Sequence, residues 1–161
     1  MSNHCDNYLA LCGEDIKSLK AFHKAMGNEM DFNKVIPMPQ ALCDQGNLSP
    51  VDREGPNWYD WACIHWGTKW NAYDNNPELT SAKYPENKGD CGEVCYNFLT
   101  AWGPPTPIVR ELQRQYPTLC ITMYFSIDCA EDGWVDENGN EVYAKTKQEN
   151  GRLIFPFLQG L

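Results

Sequence analysis

Eight cysteines and three histidines in a chain of 161 residues raise metal binding and thiol chemistry as the first possibilities. Zinc sites draw their sulfur ligands from closely spaced pairs, and no CxxC pair occurs here. The nearest approach is Cys91 and Cys95, four apart where a loop is expected to enter a strand. Scattered small thiols in a core account for the cysteines better than a metal centre does, so neither a metal nor any other cofactor is expected. A cysteine nucleophile with a histidine base is the second possibility, and Cys63 with His65 is the closest pair in sequence. Two residues apart on a helix diverge by about 200°, so these two cannot meet locally. His65 is expected to pack in the core beside Trp58 and Trp61. No catalytic residue is assigned, and the chain reads as a non-enzyme.

Another kind of chemistry is suggested by Lys69, Trp70, Asn71, Tyr73 and Asp74, joined by Trp102. Aromatic faces beside one cation, one carboxylate and an amide can grip a base or another planar ligand. The competing reading is that the tryptophans fill a core and that Asn and Asp serve turns. That structural reading is favoured here. The segment around these residues, Trp58 to Asp74, holds four of the six tryptophans.

Charge supplies the remaining candidate surface. The formal net charge is −9, and both halves of the chain are acidic. The densest run carries Asp128, Glu131, Asp132, Asp136, Glu137 and Glu141 with no Lys or Arg among them. Phosphate binding needs local positive potential, so direct nucleic-acid binding is disfavoured and a partner with a basic surface fits better. Motifs of P-loops, dinucleotide folds and nucleophile elbows are missing. The N-terminal stretch MSNHCDNYLAL lacks the basic and apolar regions of a signal peptide. Reduced cysteines in a cytoplasmic protein are therefore expected. No apolar run approaches the ~20 residues of a membrane span.

The elements that must position these residues follow from periodicity. Residues 7–12 alternate as a strand, and Ile16, Leu19, Phe22, His23 and Met26 recur at helical spacing before Gly27. The stretch 32–39 carries Pro37 and Pro39 and is expected as an extended edge. An irregular connection over 40–57 includes a short helix near Gln40 to Asp44. A helix over about Asn57 to Trp66 and strand-like alternation over 68–73 come next. A polar loop over 75–92 leads to a strand over Glu93–Trp102. Thr106 is expected to cap a helix with Pro107 at its first position, and Leu119 to Ile127 is the clearest strand. Asn138-Gly139 signals a two-residue hairpin pairing Val135 with Val142 and Trp134 with Tyr143. That register sets Asp136 against Glu141. The ending LIFPFLQGL is expected to add an edge segment or pack on the core.

This order predicts a single α+β domain over residues 1–161, a ferredoxin-like sandwich with a mainly antiparallel sheet and helices on one face, plus loop and C-terminal hairpin additions. Four segments strengthen that expectation. NHCDNYLALCG, FNKVIPMP, WGTKWNAYD and FLTAWGPPTPIVRELQRQYP together resemble the YubB-type ferredoxin-like domain proteins of plasmids and phages. The resemblance covers roughly residues 3 to 140. It implies a ferredoxin-like fold and a mobile-element origin, and it carries over no catalytic residues.

The expected function is a non-enzymatic accessory protein that binds a host protein with a basic surface. It could act as an acidic, nucleic-acid-mimicking inhibitor of a host defence such as an anti-CRISPR. One alternative is a small-molecule or nucleotide-binding domain or enzyme using the Lys69–Asp74 and Trp102 surface. A second is a single-stranded nucleic-acid binder, suggested only by fold analogy with RNA-recognition modules whose aromatic signature is missing here.

Overall fold

In the computed structural model, residues 3–45, 55–128 and 131–144 are described, together with the backbone of 148–149 and 152–153. The chain begins with β1 (His4–Gly13), whose odd-numbered residues Cys5, Asn7, Leu9 and Leu11 are buried while Asp6 and Tyr8 on the opposite face are exposed. Helix α1 (Ile16–Met26) follows, capped by the Asp15 carboxylate, which accepts the Ser18 backbone N–H at 3.1 Å. Its Leu19, Phe22 and Met26 form the buried stripe that the spacing predicts.

The connection from α1 to the next strand is long. Phe32–Lys34 forms a single 3-10 turn where an extended edge was expected, because the Asp31 carboxylate accepts the Asn33 N–H and starts a turn. Helices α2 (Gln40–Cys43) and α3 (Trp58–His65) follow. Asn57 caps α3 by accepting the Asp60 N–H at 2.9 Å. The alternation seen at 68–73 does not make a strand: only Tyr73 pairs, as an isolated bridge to Leu99. The short strand β2 (Ser81–Lys83) lies inside the stretch expected to be loop.

Beyond it come β3 (Gly92–Ala101), α4 (Thr106–Gln115) and β4 (Cys120–Ile127), close to their expected places. Pro105, not Thr106, holds the cap position of α4. The Thr106 hydroxyl instead donates to the Glu141 carboxylate. Strands β5 (Asp132–Val135) and β6 (Glu141–Tyr143) form the expected hairpin in a register shifted by one residue. Trp134 faces Val142 and Val135 faces Glu141. The cause is the turn: the Asp136 carboxylate accepts the N–H groups of Asn138 and Asn140, and the Asp136 N–H donates to the Asn140 carbonyl. Three residues therefore form the loop, with Gly139 at φ 76° supplying its left-handed position. The unfavourable Asp136–Glu141 pair does not arise. Beyond the hairpin, β7 (Gln148–Glu149) and β8 (Arg152–Leu153) pair with each other. The rest of LIFPFLQGL lies outside the described residues.

The six-stranded sheet has the order β2-β3-β1-β4-β5-β6, all neighbours antiparallel. Its first four strands with α1 and α4 make two interleaved β-α-β units, β1-α1-β2 around β3 and β3-α4-β4 around β1, which is the ferredoxin-like arrangement. The β5–β6 hairpin extends it at the β4 edge. The core lies between the sheet and the helices. Leu9, Leu11, Val94, Tyr96, Phe98, Ile121, Met123 and Phe125 project from the strands to meet Leu19, Phe22, Ile108, Val109 and Leu112. Gly92 lets α1 press against the sheet, since a Cβ there would lie 2.8 Å from Ile16 and 2.9 Å from Leu19. Among the described residues, no helix is long and apolar enough to cross a membrane.

Candidate functional site

Antiparallel order brings the start of β1 and the ends of β3 and β4 to one end of the sheet. There the Trp102 N–H donates to the Asn3 carbonyl, and the Asp128 N–H donates to that of His4. The 27–80 connection returns along the β3 edge, where Tyr73 and Leu99 exchange backbone hydrogen bonds and the Asn76 N–H donates to Asn97. This places Lys69, Trp70 and Trp102 together despite their separation in sequence. The Lys69 ammonium lies 4.4 Å from the Trp70 ring centre and 5.1 Å from that of Trp102. Trp70 is 40 % exposed and Trp102 47 %. Tyr59 on α3 meets Trp102 edge to face at 6.1 Å, Tyr73 meets Trp70 at 6.3 Å, and Ile64 stands 71 % exposed on α3. The core-filling expectation therefore fails for Trp70 and Trp102, although Trp66 is buried and its indole N–H donates to the Ile36 carbonyl.

Backbone geometry singles out the same segment. Asp74 at φ 44° and Trp102 at φ 73° are the two non-glycine residues with positive φ among the described residues. An Asp adopts this conformation readily, whereas for a bulky side chain it costs about 1–2 kcal/mol. At Trp102 that cost holds a large ring half out in water.

The other candidates separate into different roles. Asn71 faces the protein: its amide oxygen accepts the N–H groups of Phe32 and Ala72, and its NH2 donates to Asp31. It fastens the connection to the 3-10 turn and is not available on the ligand side. The Tyr73 hydroxyl hydrogen-bonds His4 Nδ1 at 2.6 Å and reaches the Thr100 carbonyl at 3.3 Å. Burial raises its pKa, and the carboxylates of Asp74, Asp128 and Asp6 add to the shift, as does the Cys5 thiol. His65 is exposed and stacks on Trp61 at 4.4 Å, contrary to the expected core position.

The acidic run does not form one face. Asp128 and Glu131 lie exposed near the start of β5, and Glu137 lies exposed beyond its other end, roughly 13 Å away along four strand residues. Asp132 is 7 % exposed. Asp136 is held in the hairpin turn, whose N–H groups lower its pKa. Glu141 accepts from the hydroxyls of Thr106 and Tyr143, and this contact, then burial, pushes the tyrosine up to about 12. By contrast, the exposed Asp6, Asp74 and Asp128 all act on the Tyr73 hydroxyl, whose ring meets Trp70. Sequence reasoning did not include Asp6 or Tyr59, which only the strand pairing and the α3–Trp102 contact reveal.

Lys69 and Trp70 also line an open cleft of about 330 Å³, together with Met38, Leu42, Cys43, Trp58 and Trp66. The Trp58 indole N–H is buried in this neighbourhood without a partner. The described residues contain no group of three His, Cys, Asp or Glu side chains placed to share a metal ion.

Fold and site together define a ferredoxin-like domain carrying an exposed aromatic surface on its connections. The chain belongs to the family of the ferredoxin-like domain in Api92-like protein, whose sequence model matches residues 65–155. No curated protein and no solved structure matches the chain. The matched stretch includes Lys69–Asp74, Trp102 and strands β2 to β6. It needs β1 to complete its sheet, because β3 and β4 each pair with β1 and not with each other.

Proposed function

We propose that this chain is a non-enzymatic accessory protein of a phage or plasmid, of the YubB type, that acts by binding a host protein with a basic surface. The mobile-element origin rests on the resemblance of four sequence segments. The observation that carries the binding role is the exposed Trp70–Lys69–Trp102 cluster, maintained at a backbone cost by Trp102. Half-exposed tryptophans at the centre of a patch are the usual anchors of protein interfaces, and Asp6, Asp74 and Asp128 nearby would favour and steer a cationic partner. The division of the Asp128–Glu141 carboxylates between two ends of β5 gives no support to the nucleic-acid-mimic form of this reading. Anti-defence activity therefore rests on charge and origin.

The test is affinity capture from host lysate with the wild-type chain and with a Trp70→Ala/Trp102→Ala double variant, followed by titration of the captured protein at two salt concentrations. A specific protein retained by the wild type, lost by the double variant and bound less tightly at high salt is expected. Recovery of chaperones alone, or equal recovery by the variant, would overturn the proposal.

The cleft beside Trp58 favours a second reading, a small planar ligand held by Lys69 and the aromatic walls. Titration with nucleosides and nucleotides, followed by tryptophan fluorescence, tests it. Saturable quenching that Lys69→Ala abolishes is expected if this reading holds, and an unchanged spectrum removes it.

A further inference from the structure

At the end of the sheet opposite Trp102, the β1–β4 register sets Cys12 directly against Cys120. The geometry of the pair follows from the ladder. The Asp128 N–H donates to the His4 carbonyl, so the His4–Asp128 position is of the hydrogen-bonded kind. Such positions recur at every second residue, and Cys12–Cys120 falls on the same alternation. Opposed residues there have Cα atoms about 5.5 Å apart, within the range a disulfide spans. Both side chains point to the sheet face that α1 and α4 leave uncovered, since the neighbouring Leu11 and Ile121 point into the core. Cys120 is exposed, Cys12 is half-buried, and both are free thiols. Burial first, and then the adjacent Cys120, raise the Cys12 thiol to about 11. The charge of Glu93, its partner on β3, and that of Cys91 act in the same direction.

We propose that Cys12 and Cys120 form a modification site, a cross-strand dithiol that low-molecular-weight disulfides such as glutathione disulfide convert reversibly to an intramolecular disulfide. The exposed Cys120 acts first. Its thiolate attacks one sulfur of the small disulfide, forming a mixed disulfide and releasing one thiolate, which takes up the proton Cys120 lost. Cys12 then loses its proton and attacks the Cys120 sulfur, expelling the second small thiolate, which takes up that proton. One sulfur–sulfur bond breaks and one forms, and two electrons pass from the protein dithiol to the small disulfide, which leaves as two thiols. The raised Cys12 thiol leaves a small thiolate fraction and slows its attack, and in the intramolecular step the proximity set by the strand register compensates. A hydrogen-bonded strand site strains the bridge, which makes it readily reducible. This inference is independent of the binding surface at the far end of the sheet.

The reduced full-length chain is equilibrated with mixtures of reduced and oxidised glutathione, blocked with an alkylating agent, digested without reduction and mapped by mass spectrometry. The expected product is a Cys12–Cys120 linked peptide that disappears on adding dithiothreitol. Cys12→Ser, which cannot form the link, should instead accumulate a stable glutathione adduct on Cys120. Cys91→Ser should link as the wild type does. A persistent adduct on wild-type Cys120 with Cys12 still free would overturn the proposal, as would equal yields of links to Cys91 or Cys95 in native protein. The wild-type map decides the matter even where a variant fails to fold.

Discussion

Replacing Trp102 by alanine and, separately, by glycine distinguishes the contacts of its ring from the conformation of its backbone. A fully buried Trp side chain removes 150–250 Å² from water, and Trp102 is 47 % exposed, so roughly 100 Å² is buried. At about 25 cal/mol per Å² this contributes roughly 2.5 kcal/mol, to which the edge contact with Tyr59 adds about 0.5–1 kcal/mol. Both variants lose this contribution. Alanine keeps a Cβ at φ 73° and with it the left-handed penalty of about 1–2 kcal/mol. Glycine is relieved of that penalty and pays only about 0.4–1 kcal/mol in unfolded-state entropy. Trp102→Gly should therefore be more stable than Trp102→Ala by about 0.5–1 kcal/mol, the reverse of the order at an ordinary exposed position. Urea unfolding followed by far-ultraviolet circular dichroism is the assay, because it does not depend on the tryptophan being replaced. If alanine is the more stable, the surrounding chain does not hold residue 102 left-handed, and the argument from strain to function collapses.

Two further perturbations test the scaffold, one at each end of the sheet. Asp15 accepts from the Ser18 and Thr118 hydroxyls and the Ser18 N–H, which lower its carboxyl to about 2. Because this folded value lies below the unfolded one near 3.9, its contribution is present above about pH 4 and is lost as the pH falls toward 2. Asp15→Asn keeps a capping oxygen without the titration, so thermal melts from pH 5 to 2 should show a shallower loss of stability than in the wild type. A side-chain carboxyl of Asp15 titrating near 4 by NMR would remove the basis for this. Asn71→Ala should destabilise the fold by about 2 kcal/mol, since it strands the partly buried Phe32 and Ala72 N–H groups and a partner of Asp31. A fully stable Asn71→Ala chain with weakened binding would instead return Asn71 to the contact surface.

The regular scaffold was legible because local pattern and tertiary pairing agree in it. Leu119 to Ile127 alternates in sequence and alternates in burial, and Leu19, Phe22 and Met26 bury the face that their spacing selects. Misreadings arose where a side chain captures the backbone. Asp136 binds two N–H groups and lengthens the hairpin loop, shifting the register by one, and Asp31 turns the chain at Phe32. β2 was invisible for another reason: its three residues are all exposed, so no hydrophobic period marks them, and pairing with β3 alone defines the strand. Lys69, Trp70 and Trp102 were singled out by residue type, whereas their assembly depends on strand pairing over long separation. Type also misplaced Asn71, because composition cannot say which side of a loop faces inward, and helical spacing misplaced His65, which shares a face with Trp61 on α3 yet is exposed.

The aromatic surface owes its position to where the fold tolerates added chain. The ferredoxin-like framework runs through His4–Met26 and Ser81–Ile127, and residues 27–80 between them connect α1 to β2. Lengthening such a connection costs little, since each doubling adds only about 0.6 kcal/mol of closure entropy. This segment can therefore carry four tryptophans without disturbing the sheet core. It must still be fixed in place to present them, and the fixing contacts are identifiable: Tyr73 bridging to Leu99, Asn71 and Asn75 holding the backbone at 30–32, and Thr68 donating to the Ala101 carbonyl. Trp102 enters from the other side, on the β3–α4 connection, directly beyond the strand that anchors Tyr73. Strand β3 thus serves as the common reference for both halves of the cluster. Loosening Tyr73 from Leu99 would separate Trp70 from Trp102 while leaving the sheet order intact.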